Sequence, residues 1–215
     1  MLLGFDVGGT NVRLLLIEPR TGEVLDRDRE SSAGPGPVLL ETLIRMSERM
    51  QMHHGGEISA IGLGVAGLAH RSGIIRYSPN LPELIEYPLG SELAAATKAS
   101  VQVMNDATAA AWAEAKFGGG RGSDDFILAA RGTGIGTGFV CGGHLIHGHN
   151  GFAGETGHMV VDANGPMHHT GQQGPWEYYA SGSALGLIGR SQAAAGLFPA
   201  ALSLAGSVTA INGFT

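Results

Sequence analysis

Apolar runs separated by glycine-rich breaks set the rhythm of this chain. Leu2, Leu3, Gly4 and Phe5 lead into Asp6-Val7-Gly8-Gly9-Thr10-Asn11, and Val12 to Ile17 follow. The pattern returns at Phe126 to Ala130, then Gly132-Thr133-Gly134-Ile135-Gly136-Thr137-Gly138, then Phe139-Val140-Cys141. Both units read as strand–turn–strand hairpins. Between them, Val24-Leu25 begins a third strand after the turn Arg20-Thr21-Gly22-Glu23. Leu39, Leu40, Leu43, Ile44, Ser47 and Met50 recur at helical spacing, predicting a helix over about 38–52 behind Gly34-Pro35-Gly36-Pro37. Ile58 to Val65 predicts a strand, Ser78-Pro79-Asn80-Leu81-Pro82 a loop, Leu89 to Ala99 a helix and Val101 to Met104 a short buried strand. A helix over Ala107 to Phe117 then starts at Asn105-Asp106 and stops at Gly118-Gly119-Gly120. Ser183 to Ala195 predicts a last helix, with a break at Pro199. The class is α/β. The repeated hairpin predicts two related halves around a cleft, divided near Asp106 into 1–106 and 107–215.

Composition narrows the choice of partners. The 215 residues carry a formal net charge of −6, which excludes the basic footprint of a nucleic-acid binder. Ile58 to Ala69 is the longest nearly uncharged apolar stretch and is too short to span a bilayer. The apolar start is interrupted by Asp6 and has no basic region before it, so no secretory signal is expected. The single cysteine, Cys141, fits a reducing compartment, and a cytoplasmic location is the expectation.

Chemistry enters with the two turns. Glycine lacks the Cβ that holds a backbone away from a ligand, so consecutive N–H groups can face phosphate oxygens. Neither turn is a P-loop, since no Gly-Lys-Ser/Thr follows, and neither is a dinucleotide fingerprint, since strands follow both. A lone turn of this kind is usually structural. Two of them, with Asp6 at the mouth of one and the hydroxyls of Thr10 and Thr133 inside, predict a nucleotide phosphate gripped from both sides. Asp6 is placed as an outer-shell partner for Mg²⁺.

Four motifs then occur in a telling order: Asp6 to Asn11, Asn105-Asp106-Ala107, Gly132 to Gly136, and Gly154-Glu155-Thr156-Gly157-His158. Pro175-Trp176-Glu177-Tyr178-Tyr179-Ala180-Ser181-Gly182 continues the series. The set resembles the ROK family (repressors, open reading frames and sugar kinases), and within it the glucokinases, from the first strand to about Leu187. The resemblance implies an actin-like ATPase (ribonuclease H-like) fold and ATP-dependent phosphorylation of a hexose, glucose first, with Mg²⁺. It implies Asp106 as the base that takes the proton of the attacking sugar hydroxyl. By local sequence alone, Asp106 reads as a helix N-cap. Asn80, Asn105, Asp106, Glu155, His158 and Glu177 resemble the sugar-binding set. Asp6, Gly8, Gly9, Thr10, Asn11, Gly132, Thr133, Gly134 and Gly136 would hold the nucleotide phosphates. Taken singly, Glu155 and Glu177 read as solvated loop carboxylates and His158 as a structural histidine. A homodimer is a common state in the resembled family.

The resemblance also has departures. A zinc site in many members uses the histidine of the Gly-His pair and three cysteines, and here those cysteine positions hold His168, Thr170 and Pro175. Threonine is a poor ligand and proline none, so a structural zinc is not expected and no metal ligands are assigned. His158, His168 and His169 remain an adventitious metal trap at most. Beyond Pro199 no clear strand, adenine loop or closing helix is read, so the second half is expected to be incomplete, with apolar surface left uncovered. No helix-turn-helix precedes Met1-Leu2-Leu3, which argues against a DNA-binding repressor. A sugar-binding sensor without catalysis and a polyphosphate-using kinase stand as alternatives.

Overall fold

The structure is a computed structural model, and it describes residues 1–168 and 170–213. His169 therefore lies outside the described residues, as do Phe214 and Thr215. β1 (Leu2–Val7) and β2 (Asn11–Ile17) form the first hairpin, with Asp6 opposite Arg13. Its turn is closed by the Gly8 N–H donating to the Asn11 carbonyl at 3.0 Å.

β3 (Val24–Ser31) pairs with β2 and forms the sheet edge. The apolar pattern stops at Leu25, yet the strand runs six residues further, to Ser31. The reason is electrostatic. Asp26, Asp28 and Glu30 share one face by the two-residue period of a strand. On α1 (Gly36–His54), Arg45 and Arg49 lie one turn apart and meet them. Arg49 Nε donates to Asp28 at 2.9 Å and Arg49 Nη2 to Glu30 at 2.7 Å, Arg45 joins Glu30, and His54 reaches Asp26 at 2.7 Å. Charges along an edge also discourage pairing with other chains.

α1 buries Leu39, Leu43, Ser47 and Met50 of the expected stripe and Met46 besides, while Leu40 and Ile44 are half-buried. β4 (Ala60–Val65) returns parallel to β1. A two-stranded ribbon, β5 (Leu68–Ala69) with β6 (Ile75–Tyr77), precedes α2 (Leu89–Thr97) and β7 (Ser100–Asn105), which lies parallel to β4. The sheet order is β3-β2-β1-β4-β7. Its buried face, with Leu3, Phe5, Val7, Leu14, Leu16, Ile61 and Leu63, meets α1 and α2 in one core.

α3 (Asp106–Phe117) leaves the end of β7 and packs on a second sheet, β8 (Phe126–Arg131), β9 (Ile135–Cys141) and β10 (His144–Leu145), ordered β10-β9-β8. That contact is made by absent side chains. A Cβ on Gly138 would come within 2.4 Å of Ala111 Cβ, and one on Gly136 within 2.8 Å of Ala107 Cβ. Alternate glycines of β9 thus let the strand lie against the helix backbone.

The remaining elements are a 3-10 turn (Thr156–His158), α4 (Glu177–Ala180), α5 (Gly182–Ala194), α6 (Pro199–Ala205) and a final 3-10 turn (Val208–Ala210). Pro199 starts a helix where the sequence reading placed a break. Its missing N–H is harmless in a first turn, where that donor has no partner. Among the described residues, Ala193, Ala201 and Ile211 form a small core cluster at this end. Leu187, Leu197 and Leu204 are 63%, 71% and 76% exposed. Among the described residues no helix is long and apolar enough to cross a membrane.

Candidate active site

The parallel strands β1, β4 and β7 end together, and Asp6, Asn105 and Asp106 lie at their carboxyl ends. Crevices at such strand ends are the usual ligand sites of α/β sheets. Asp6 is in register with Gly64 on β4, and Gly64 lies under Asp106, the Cα of which is 3.5 Å from its ideal Cβ position.

Asn105, not Asp106, caps α3. Asn105 Oδ1 accepts the Thr108 N–H at 3.1 Å, and Asn105 Nδ2 donates to the Gly67 carbonyl at 3.1 Å. Asp106 becomes the first helical residue, and its Oδ1 accepts the N–H of the next residue, Ala107, at 2.9 Å. The local preference for Asp106 as the cap is therefore corrected. The same stretch after β4 also secures Asn80, because buried Ser78 donates to the Ala66 carbonyl at 2.6 Å. Asn80 then touches the first turn: a Cβ on Gly9 would meet Asn80 Cβ at 2.6 Å.

Glu155 and His158 ride on β9. Thr137, buried, donates its hydroxyl to the Gly154 carbonyl and lies 2.9 Å from the Thr156 hydroxyl. Gly154 has a φ of +101° and Gly157 sits so close to the strand that a Cβ would meet the Ile135 carbonyl at 2.4 Å. The two glycines of this motif are thus what lets the loop dock, and docking aims the two polar side chains. His158 lies between two carboxylates, 3.8 Å from Glu155 and 3.9 Å from Glu177.

Glu177 joins the sugar residues to the second turn. Its Oε2 accepts the Ile135 N–H at 3.4 Å, and Gly134 leaves room for it, since a Cβ there would sit 2.5 Å from the same oxygen. Gly182, opening α5, donates its N–H to the Gly132 carbonyl at 2.8 Å. Gly132 has open space where a Cβ would be, as an anion cradle requires, whereas the space beside Gly136 is filled by Ala107. Thr10 and Thr133 are both exposed at their turns. Asn11 accepts from Arg29 Nε at 3.0 Å.

The charges are coupled. Desolvation raises the Asp106 carboxyl above its ordinary value of 3.8, and the negative charge of Asp6 adds to the rise, against the Ala107 hydrogen bond. Glu155 is likewise raised by desolvation; His158 opposes the rise, and Asp106 and Glu177 add to it. Both carboxylates keep solvent-accessible surface, as groups on the walls of an open cleft do. Asp6 is tied to Arg13 at 3.1 Å across the hairpin. A run of interacting groups therefore leads from the first turn through Asp6, Asp106, Glu155, His158 and Glu177 to the second. A cavity of about 550 Å³ lies elsewhere, lined by Arg71, Gln102, Trp112 and His147, and no expected site residue borders it.

The ROK family profile matches residues 2–196. The chain belongs to the ROK family. It is 38% identical over 191 residues to a glucokinase of Thermotoga maritima, covering 86% of this chain and 58% of that protein. It is 33% identical over 188 residues to the xylose repressor of Bacillus subtilis, covering 85% of this chain and 48% of the repressor. A ROK family glucokinase from Streptomyces griseus, solved in complex with glucose and AMPPNP, superposes with a TM-score of 0.83 at 33% identity, covering 99% of this chain and 68% of that one. The fold is accordingly the actin-like ATPase fold of ROK sugar kinases. This ROK chain spans a little under three fifths of the length of the curated glucokinases it matches.

Two contributors to the site went unread in the sequence. Thr137 anchors the sugar loop, and a hydroxyl inside an otherwise apolar and glycine strand was its only signal. Arg13 pairs with Asp6, legible only once the hairpin register is known.

Proposed function

We propose that this ROK chain carries the hexose-binding and phosphate-gripping parts of a hexose kinase that transfers the γ-phosphoryl group of ATP to glucose, giving glucose 6-phosphate. The observation behind this reading is the placement of Asp106. It stands at the first position of α3, relieved of capping by Asn105, with its carboxyl raised by desolvation and by Asp6. A raised carboxylate is a stronger proton acceptor, so Asp106 takes the proton from the attacking hydroxyl as the oxygen–phosphorus bond forms. Phosphoryl transfer asks mainly for positioning and charge stabilisation.

Asn80, Asn105, Glu155, His158 and Glu177 hold the ring hydroxyls. Each hydroxyl both donates and accepts, which suits a ring of amides and carboxylates. A sugar lacking one hydroxyl leaves such a group unpaired and is rejected. Asp6, Gly8, Gly9, Thr10 and Asn11 receive the phosphates from one side, and Gly132, Thr133 and Gly134 from the other; Gly136, expected among them, packs on Ala107 instead. Asp6 is an oxygen donor of the kind Mg²⁺ prefers, placed as an outer-shell partner, and the bound ion would neutralise phosphate charge. The halves 1–106 and 107–215 meet at Asp106, so closure between them would bring donor and acceptor together.

A second reading draws on the xylose repressor, which matches over nearly the same share of this chain as the glucokinase does. In it, the chain binds a sugar without turnover. A coupled assay with glucose and either ATP or polyphosphate separates the cases. Product with ATP supports the kinase and product with polyphosphate alone changes the donor. Sugar binding without product supports the sensor, and folded protein that binds no hexose defeats all three.

A further inference from the structure

His168 is an unusual histidine, its side chain only 2% exposed. Its Nδ1 faces Thr170, with the Thr170 backbone N–H at 3.3 Å and the Thr170 hydroxyl at 2.6 Å. A backbone N–H can only donate, so Nδ1 is the lone-pair nitrogen and the ring proton belongs on Nε2. Nε2 lies 2.8 Å from Glu177 Oε1, close enough for that N–H to be shared with the carboxylate. The ring is wedged edge-on between His158, at 5.6 Å between centroids, and Tyr178, at 4.8 Å. The other Glu177 oxygen takes the Ile135 N–H. The carboxylate is thus held at both ends, by a buried ring and by the second hairpin.

The metal implied by the family resemblance does not fit this arrangement. Ligand atoms of His158, His168 and Glu177 lie within 4.8 Å of one another, the grouping a cation would need. Zinc takes lone pairs, usually from four ligands with thiolates among them in structural sites. His168 instead turns its N–H toward this group and its lone pair toward Thr170. The 2.8 Å approach of Nε2 to Glu177 Oε1 closes the gap that a metal would otherwise bridge.

We propose that His168 is a positioning residue, which by donating Nε2–H to Glu177 Oε1 fixes that carboxylate for the sugar without a metal ion. The inference deepens the hexose-binding reading and rests on it for the sugar. A free glutamate must give up its rotamer freedom when it binds; one already held has little left to lose.

The test compares His168→Leu, which removes the donor, with His168→Gln, whose amide N–H can reach the same oxygen. Losing the donor is expected to raise the glucose Kd by about tenfold, leave the ATP KM and the melting temperature close to wild type, and be largely reversed in His168→Gln. Equal losses in both variants, or a parallel fall in melting temperature and ATP binding, would overturn the proposal. So would stoichiometric zinc that survives dialysis of the wild-type protein and is lost from His168→Leu. A second readout needs no sugar. Proton NMR should show an exchange-protected imidazole N–H that vanishes in His168→Leu and shifts in Glu177→Gln. Its absence sinks the positioning claim. Its presence in protein that binds no hexose sustains the metal-free hold on Glu177 and rejects the kinase reading instead.

Discussion

Asn105 Oδ1 accepts the Thr108 N–H at 3.1 Å, and this single bond separates two roles that the sequence Asn105-Asp106 leaves merged. The helix is capped by the amide, and the neighbouring carboxylate is left to face the cleft.

Asp106→Asn retains the local bond to the Ala107 N–H, because an amide oxygen accepts as a carboxylate does. The variant should keep its fold and its glucose affinity while kcat falls by ~10²–10⁴-fold, the usual contribution of a placed base. Steady-state kinetics with calorimetry of glucose binding checks this. Turnover near wild type would remove Asp106 from the role.

Asp6 raises the Asp106 carboxyl through its negative charge. Neutralising it in Asp6→Asn lowers the pH at which Asp106 ionises, so the acidic limb of the kcat profile should move to lower pH. A limb that stays in place or moves upward contradicts the coupling.

The same raised carboxyls predict a stability trend. Asp106 and Glu155 bind protons more readily when folded than when unfolded. Their contribution to stability is therefore fullest below the unfolded values of 3.8 and 4.5, and is lost as pH rises through the folded ones. Glu155→Gln should accordingly be more stable than wild type at neutral pH, and the difference should vanish in acid. Solvent around a half-open carboxylate keeps the gain within about 1 kcal/mol. Urea denaturation at several pH values measures it.

Asn105→Ala should lose the cap and cost about 1 kcal/mol, within the range of ~0.5–2 kcal/mol typical of such changes. Asn105→Asp keeps the acceptor for Thr108 but not the donor to the Gly67 carbonyl, so it should recover most of the helix stability and little of the sugar affinity. Equal stability losses in the two variants would show that the cap is not what Asn105 supplies.

Gly138→Ala puts a Cβ 2.4 Å from Ala111 Cβ and 2.9 Å from the Ala107 carbonyl. Overpacking of this kind costs about 1–3 kcal/mol, and here it would also push α3, and Asp106 with it, away from the second hairpin. Denaturant titration and kcat should fall together. Stability unchanged from wild type would mean that β9 and α3 are not in the contact described.

The regular elements were legible because their signals are local. A three-to-four residue apolar period makes α1, and alternation around a glycine turn makes each hairpin. β3 starts at Val24 as read, but its extent was not legible because Asp26 to Glu30 carry no apolar period; Arg45, Arg49 and His54 stand opposite them. The start of α6 was misread as a break because a proline ends one helix and begins another with equal ease.

The sequence by itself determined the main strands and helices, though not β5, β6, β10, α4 or α6, together with the two glycine turns and the membership of Asp106, Glu155 and Glu177 in a recognisable motif set, since these depend on neighbours along the chain. Only the tertiary structure decided which of Asn105 and Asp106 caps the helix, that Gly136 and Gly138 serve packing, and that His168 grips Glu177. Asn105 is fixed as the cap by its bond to the Gly67 carbonyl as well as by Thr108, and the glycines and His168 act through groups outside their own strand or turn, so no local pattern encodes these meetings.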